Sequence, residues 1–447
     1  MNASARKVAR SPSTWVVVAI AISVGFGLKL QRDSPEVFLG AAPFVARDPR
    51  SGWHFRFGWG LVGAAFVGAI VTYGTARSWW WRLRLRSLMV CTALATGVFG
   101  VLLALSDGTD GLLHGASDPT EYLSNLASAP PAGEFVRHFV DDIDRYSVHV
   151  RGHPPGFVLV LKVLHHAGLT GAWPVVALSI IAAAVTPIAV VVAVWRVAGS
   201  DWARRCTPLL VVAPYALWMI TSADAVYAAT GAWGVATFVL GVYSRGWRSV
   251  LWGACSGALL GALLFMTYGG AVFLLVPLVA AVFGFKHNRR NAMFAIASAT
   301  AVIVGITALF AVTGFWWLAG ATETKRQYWA GTAQFRPFAY FAIANLAVSA
   351  VAIGPAGVAG MNRLWRQRRT VGPIVAVVAA GALALLVAHL SQYSRGEVER
   401  IWLLFFPWLL VAGAMLVTRT NARTAAIAVG AQTIVAVLLQ AMLVSKW

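Results

Sequence analysis

Two aspartates, Asp118 and Asp224, are the residues of this sequence best placed to do acid–base chemistry. Asp118 begins the run DPTEY (118–122), and Asp224 is the only carboxylate between two closely spaced apolar runs. A carboxylate at such a position can accept a proton from a bound hydroxyl group. Each also has a structural explanation as a helix N-cap, and Asp118 with Pro119 and Glu121 has the pattern of a capping box. Both are therefore candidate catalytic residues with a structural alternative.

Asp118 lies in a polar island within an otherwise apolar chain. Six of the 16 Asp and Glu residues fall within residues 117–156. The island contains a D-x-D at 142–144, which could hold a divalent cation through oxygen ligands, although a solvated acidic loop explains the pattern as well. It ends in His153-Pro154-Pro155, where the prolines suit a helix start and His153 is a candidate ligand contact.

Two basic clusters are candidates for binding a phosphate. Lys325 and Arg326 precede a Tyr-Trp pair, and Arg395 and Arg400 flank two glutamates at the start of an apolar run. Arginine suits a phosphate at a membrane surface because its guanidinium donates two parallel hydrogen bonds. The alternative is mutual ion pairing that ties the loops together.

The composition indicates the class of protein that carries these residues. Hydrophobic residues make up 59% of the 447 residues and charged ones 12%, and the mean hydropathy is +0.71. A soluble domain does not need so many apolar residues, so the sequence predicts a polytopic membrane protein. The net charge of +20 comes from arginine clusters between apolar segments, which argues against nucleic-acid binding. The three cysteines show no spacing typical of a disulfide framework or zinc site.

The sequence predicts an all-α fold of about 13 transmembrane helices, formed as a single domain over residues 1–447. The polar outer loop, 106–156, carries short surface helices. The apolar run 156–164 is too short to cross, and we expect it to be a half-helix that re-enters from the outer face. The predicted crossings are 14–30, 57–75, 88–105, 173–195, 207–222, 224–243, 248–267, 270–285, 292–314, 338–358, 373–391, 401–418 and 425–443.

Charge asymmetry predicts the orientation. Every second connector between the crossings is rich in arginine, which places those connectors and the N-terminus in the cytoplasm. All acidic residues except Asp201 then lie on the outer side or at the outer end of a helix. The polar island should therefore face outwards from the plasma membrane.

The order of these motifs resembles a known superfamily. An acidic D-x-x-x-Y motif, a His-Pro-Pro entering an apolar segment and an aspartate at an outer helix start follow one another between Asp118 and Tyr243. This order is similar to that of the GT-C membrane glycosyltransferases, especially the protein O-mannosyltransferase and lipid A aminoarabinose transferase families. The resemblance implies that Asp118 is the catalytic base and that Asp224 is the second acidic position. Substrate contacts would then come from Glu121, Tyr122 and His153.

What the resemblance implies is transfer of a sugar from a polyprenyl-phosphate donor on the outer face of the membrane. The donor's lipid tail would lie between helices, and Lys325, Arg395 or Arg400 would stabilise the phosphate leaving group. Asp118 would deprotonate the acceptor hydroxyl, with inversion at the anomeric carbon. The acceptor (glycan, glycolipid or protein), the sugar and a need for a divalent cation stay open. The alternatives are a transporter or flippase for a lipid or polysaccharide precursor and a non-catalytic assembly factor.

Overall fold

The computed structural model of the protein describes residues 12–34, 37, 39, 44 and 52–444. Almost all regular structure is helical, and the one small sheet pairs β1 (Gly52–Trp53) with β2 (Leu443–Val444) in antiparallel fashion. The first half of the described chain contains the helices α1 Pro12–Asp33, α2 Trp59–Ala76, α3 Trp79–Arg82, α4 Leu85–Ala104, α5 Asp110–Ser117, α6 Leu123–Leu126, α7 Ala132–His138, α8 Val148–Arg151, α9 Gly156–His166, α10 Ala172–Ala198, α11 Ser200–Val211 and α12 Ala216–Met219.

The second half continues with longer helices. They are α13 Asp224–Val242, α14 Trp247–Met266, α15 Gly269–Phe273, α16 Leu275–Val312, α17 Trp317–Ala330, α18 Phe338–Arg366, α19 Gly372–Ser391, α20 Val398–Ile401, α21 Phe406–Leu410 and α22 Ala422–Met442. Short 3-10 turns lie at Leu105–Asp107, Ile143–Arg145, Thr332–Phe335, Val411–Met415 and Arg419–Asn421.

The predicted all-α polytopic fold is confirmed. Within the described ranges, 11 helices are long and apolar enough to cross a membrane. The other two of the 13 predicted crossings, 207–222 and 401–418, are built from short helical pieces instead. Pro214 and Pro407 contribute to the breaks because proline lacks an amide hydrogen. Both segments are buried, so surrounding protein shelters backbone that lipid would not tolerate.

Helix α13 forms the centre of the bundle. Of the membrane-crossing helices described it has the most buried apolar stretch, with 83% of its residues inside the protein. Small residues let its neighbours approach closely: a Cβ atom added at Gly253 or Gly257 of α14 would lie within 2.5 Å of a carbonyl oxygen of α16. The Ser249 hydroxyl then bridges α13 and α16 by donating to the carbonyls of Gly241 and Asn291, each at 2.8 Å. Close backbones joined by hydroxyl groups are typical of membrane helices.

A kink in α18 is held by a glutamine from another helix. Gly354 has a φ of +71° and is followed by Pro355, which breaks the regular hydrogen bonding. The buried Gln432 of α22 donates to the Ile353 carbonyl at 2.7 Å and accepts from the Ala356 amide at 3.1 Å. One side chain therefore satisfies two backbone groups that the kink leaves without helical partners.

The segment between α4 and α10 carries α5–α9 and lies at one end of the bundle, here called the loop face. Helix α9 is an 11-residue helix of about 16 Å, which is too short to cross a membrane. Its first residue, Gly156, packs against the carbonyl of Phe265 at the end of α14. Its buried Lys162 donates to the Ala129 carbonyl of the polar loop at 3.0 Å. These contacts keep α9 at the loop face.

Candidate functional site

Arg400, in the short helix α20, is the centre of a buried ionic cluster at the loop face. Its guanidinium is 4% exposed and donates from Nη1 to Asp224 Oδ2 at 2.9 Å. Its Nη2 atom donates to Glu397 Oε2 at 3.0 Å and lies 2.7 Å from His149 Nε2. Arg400, which the sequence predicted as a phosphate ligand, is therefore already paired with the protein's own carboxylates. The cluster brings the predicted residues Asp224 and Arg400 together.

Asp224 is buried at the first turn of α13. Its Oδ2 atom accepts a hydrogen bond from the Ser222 hydroxyl at 2.6 Å, and its backbone amide donates back to the same hydroxyl at 3.1 Å. A buried carboxylate needs a partner charge and satisfied hydrogen bonds, and Arg400 and Ser222 supply both. The N-cap explanation of Asp224 is wrong, because Ala223 is the N-cap of α13; the Asp224 side chain instead joins α13 to α20.

Glu397 and Arg336 extend the cluster towards α18. Arg336 is 5% exposed and pairs with Glu397 at 3.0 Å, while its Nη1 atom donates to the Arg395 carbonyl at 2.6 Å. Burial raises the pKa of Glu397, but the guanidinium groups of Arg336 and Arg400 outweigh it and lower the pKa to about 2. Glu397 therefore stays ionised between the two arginines over the physiological pH range.

Asp118 ends α5 rather than beginning a helix, so the capping-box explanation is wrong. Its Oδ1 atom accepts from the amide of Thr120 at 2.7 Å and from the Thr120 hydroxyl, which closes a turn. The Asp118 carbonyl also accepts from the Glu121 amide at 2.9 Å. Asp118 is half-buried, whereas Glu121 is 8% exposed and lies 2.9 Å from His149 Nδ1. Within this turn the residue that contacts the ionic cluster directly is Glu121.

Tyr122 and His153 pack together beside this turn. The Tyr122 ring lies 4.8 Å from that of Phe157 and 5.8 Å from that of His153, and its hydroxyl accepts from Tyr227 at 2.8 Å. The His153 Nδ1 atom lies 2.8 Å from the His149 carbonyl. Burial lowers the pKa of His153, which favours a neutral ring. These aromatic side chains form a rigid wall.

A narrow cavity, with room for about one water molecule, lies beside that wall. Glu121 and Tyr122 are the strongest hydrogen-bonding groups in its lining, which is otherwise mainly apolar. The Thr221 hydroxyl also lines it and has no hydrogen-bond partner among the described residues. Asp118 and Asp224 are not among the lining residues in the part of the chain that is described. The cavity therefore brings together two of the three residues expected from the loop to contact substrate.

The remaining basic candidates, Lys325, Arg326 and Arg395, lie at the edge of the loop face, here called the rim. Arg395 stacks on Trp329, with 4.6 Å from Cζ to the ring centroid, and donates from Nη1 to the Arg336 carbonyl at 2.8 Å. Lys325 is exposed, with its Nζ 5.9 Å from the Tyr393 ring. Arg326 forms ion pairs with Glu323 and Asp144. Arg395 is thus linked to the buried cluster, whereas the Arg326 pairs fit the alternative of tying loops together.

The acidic run at 141–144 does not form a metal site. Asp142 pairs with Arg145 at 2.9 Å, and Asp144 pairs with Arg326 at 3.5 Å. Among the described residues, no group of three or more His, Cys, Asp or Glu side chains could hold a metal ion. The D-x-D carboxylates are neutralised by arginines and do not fit a divalent cation.

Sequence reasoning missed two residues of the cluster and underweighted a third. His149 is an isolated histidine in a loop, with nothing in its spacing to mark it. Glu397 stands three residues before Arg400, and this i,i+3 spacing was the available signal. Arg336 lies just before α18 with no neighbouring motif to mark it, and only the fold places it against Glu397.

Comparison with known proteins finds similarity in fold. No protein-family model matches the sequence, and no curated protein matches it. The structure is similar to that of the Archaeoglobus fulgidus oligosaccharyltransferase in complex with Zn and sulfate, with a TM-score of 0.52 and 16% identity over 80% of this chain. The apo form gives a TM-score of 0.53 and 14% identity over 82% of this chain. The matches cover 53% and 57% of those chains, so this chain matches little more than half of each.

Proposed function

We propose that this protein is an integral membrane glycosyltransferase that moves a sugar from a polyprenyl-phosphate donor to a cell-envelope acceptor. The observation that carries the proposal is the buried cluster of Asp224, Arg400, His149 and Glu121 at one face of a polytopic helical fold. That fold is similar to the fold of an oligosaccharyltransferase, a membrane enzyme of the GT-C type. Charges so deeply buried at a membrane boundary are costly and are expected where they serve function.

Asp118 is the proposed general base. The acceptor hydroxyl gives its proton to the Asp118 carboxylate while its oxygen bonds to the anomeric carbon of the donor sugar. The bond from that carbon to the phosphate oxygen breaks, and its electron pair leaves with the polyprenyl phosphate. Attack from the face opposite the leaving group inverts the anomeric carbon. Asp118 suits this role because it is half-buried and its Oδ1 atom is fixed by Thr120.

Positive charge at the rim is proposed to hold the phosphate. Arg395 and Lys325 are the accessible candidates, and Arg400 can contribute its charge from behind Asp224 and Glu397. Stabilising a phosphate needs cationic groups and no general acid. Glu121 and Tyr122, which line the cavity, are the proposed sugar contacts, with His153 supporting the wall beside them. The D-x-D carboxylates do not fit a divalent cation, so no step is assigned to one; chelation with EDTA tests metal dependence directly.

A transporter for a lipid-linked precursor is the second candidate. Transporters place ionisable groups near the midplane between repeated halves. Here the buried ionic cluster around Arg400 lies at helix ends on the loop face, which favours the glycosyltransferase over the transporter.

The test is transfer by Asp118→Asn in proteoliposomes supplied with radiolabelled polyprenyl-phosphate sugars and a cell-envelope acceptor extract. Loss of a general base is expected to lower the rate by a factor on the order of 10²–10⁴. Asp142→Asn is the matched control, since Asp142 is a loop carboxylate paired with Arg145, and it should retain wild-type transfer. Wild-type transfer by a folded Asp118→Asn protein would remove Asp118 as the base.

A further inference from the structure

The His149 side chain contacts both the Asp118 turn and the Arg400 cluster. It lies in the four-residue helix α8 and is 6% exposed. Its backbone amide donates to the Thr120 carbonyl at 3.2 Å, and its Nδ1 atom lies 2.9 Å from Glu121 Oε1. On the opposite side of the ring, Nε2 lies 2.7 Å from Arg400 Nη2.

These contacts indicate which ring nitrogen of His149 accepts a hydrogen bond. A guanidinium nitrogen can only donate, so the Nε2 atom facing Arg400 must be the acceptor and carry no proton. A neutral imidazole then carries its single proton on Nδ1, which faces the Glu121 carboxylate. A proton on Nε2 would set two donors against each other at 2.7 Å. The contacts therefore fit the Nδ1–H tautomer of His149, with its bare Nε2 facing Arg400.

His149 also lies on a continuous path between the two candidate catalytic carboxylates. Asp118 Oδ1 accepts from the Thr120 amide, and the Thr120 carbonyl accepts from the backbone amide of His149. From the His149 ring the path runs through Arg400 to Asp224. These five residues come from four elements, α8, α13, α20 and the turn after α5, so no single element fixes their geometry.

We propose that His149 is a positioning residue that acts through Arg400 and Glu121 to fix Asp118 and Asp224 relative to each other. The tautomer of the His149 ring is inferred from its contacts alone, whereas the effect on sugar transfer rests on the proposed function. Misplacing a reacting group by about 1 Å can cost on the order of 10²-fold in rate. Loss of His149 should therefore lower kcat by a larger factor than it raises KM, because Lys325 and Arg395 keep their contacts.

The first arm of the test is ¹⁵N NMR of histidine-labelled protein in lipid bilayers at pH 7. The resonances of His149 are assigned by their absence from His149→Gln. A protonated Nδ1 and a bare Nε2 are expected. A proton on Nε2, in either the other tautomer or the doubly protonated ring, would overturn the proposal without reference to any activity.

The second arm measures transfer by His149→Phe, which keeps a flat ring but loses both nitrogens. We expect kcat to fall 10- to 100-fold, with partial rescue in His149→Gln, which retains one donor and one acceptor. The control is His165→Phe at an exposed position of α9. Unchanged kcat in a folded His149→Phe protein would overturn the positioning role. If the wild type transfers no sugar, the proposed function fails, and the NMR arm still decides the tautomer.

Discussion

At the scale of single residues, Arg400 is the side chain that joins the parts of the candidate site. It neutralises two carboxylates that lie in different elements, Asp224 and Glu397. Removing one partner of a buried ion pair is more harmful than replacing the whole pair, since the remaining charge has lost its compensation. The stability and the function of the site should therefore depend on the same side chain.

Replacement of Arg400 by glutamine should destabilise the protein by about 3–5 kcal/mol, because Asp224 would stay buried without its cation and Glu397 would keep only Arg336. The measurement is unfolding in detergent, followed by tryptophan fluorescence. Arg395→Gln is the control, since Arg395 is half-buried and stacks on Trp329 at the rim. Equal stability of the two variants would show that the cluster contributes little to folding.

Glu397 gives the cluster a defined pH dependence. Its pKa falls from an ordinary value of 4.5 to about 2 on folding, so the unfolded chain binds more protons between these values. The stability that Glu397 contributes is complete above pH 4.5 and is lost as the pH falls towards 2. Unfolding midpoints between pH 6 and pH 3 should therefore fall more steeply for the wild type than for Glu397→Gln. Parallel profiles would contradict the lowered pKa.

Asp118 and His149 show which residues of the candidate site could be proposed from the sequence and which could not. Asp118 could be proposed from the sequence because it is a carboxylate next to proline in a polar island. Asp224 and Arg400 were each identified, but 176 residues separate them, and only the fold shows that they pair. His149 could not be found, since its importance comes from two partners that lie on different elements.

At the scale of elements, the loop face is assembled from short helices whose ends meet. Helices α8 and α20 have four residues each, too few to be stable alone. Tertiary contacts hold them in place, and their sequences give little sign of helix. Hydropathy located the long crossings well because each needs about 20 apolar residues. At 207–222 and 401–418 it located apolar segments but not their broken backbone, which burial in protein permits.

The kink of α18 can be tested through Gln432. Replacing Gln432 by leucine removes hydrogen bonds to the Ile353 carbonyl and the Ala356 amide, and each orphaned group should cost about 1–3 kcal/mol. Thr433→Val is the control on the same helix, because the Thr433 hydroxyl donates only to a carbonyl of its own helix. We expect a lower unfolding midpoint for Gln432→Leu alone. A midpoint equal to that of Thr433→Val would mean that the kink needs no support from α22.

At the scale of the whole molecule, charge is distributed unevenly between the two ends of the bundle. The ionic cluster lies at the loop face, whereas arginine-rich connectors such as 363–369 join the helices at the opposite end. Arginine-rich connectors remain in the cytoplasm during insertion. This distribution supports the proposal that the loop face is the outer face.

Single cysteines at Gly133 and Gly372 test that orientation. Both sites have open space for a side chain, and they lie at opposite ends of the bundle. In a background with Cys91, Cys206 and Cys255 replaced by alanine, a membrane-impermeant maleimide should label Gly133→Cys in intact bacterial cells. Gly372→Cys should react only after permeabilisation. The reverse pattern would place the candidate site in the cytoplasm and contradict transfer at the outer face.

The separation of Asp224 and Arg400 along the chain has a consequence for synthesis. Asp224 leaves the ribosome 176 residues ahead of its partner, which at about 5–20 residues per second is a delay of about 10–35 s. During that interval α13 is inserted with an unpaired carboxylate at its end, and the segment that will carry Arg400 does not yet exist. Closure of the site is therefore one of the last events in the biogenesis of this protein, and chains that stop before α20 leave Asp224 without its cation.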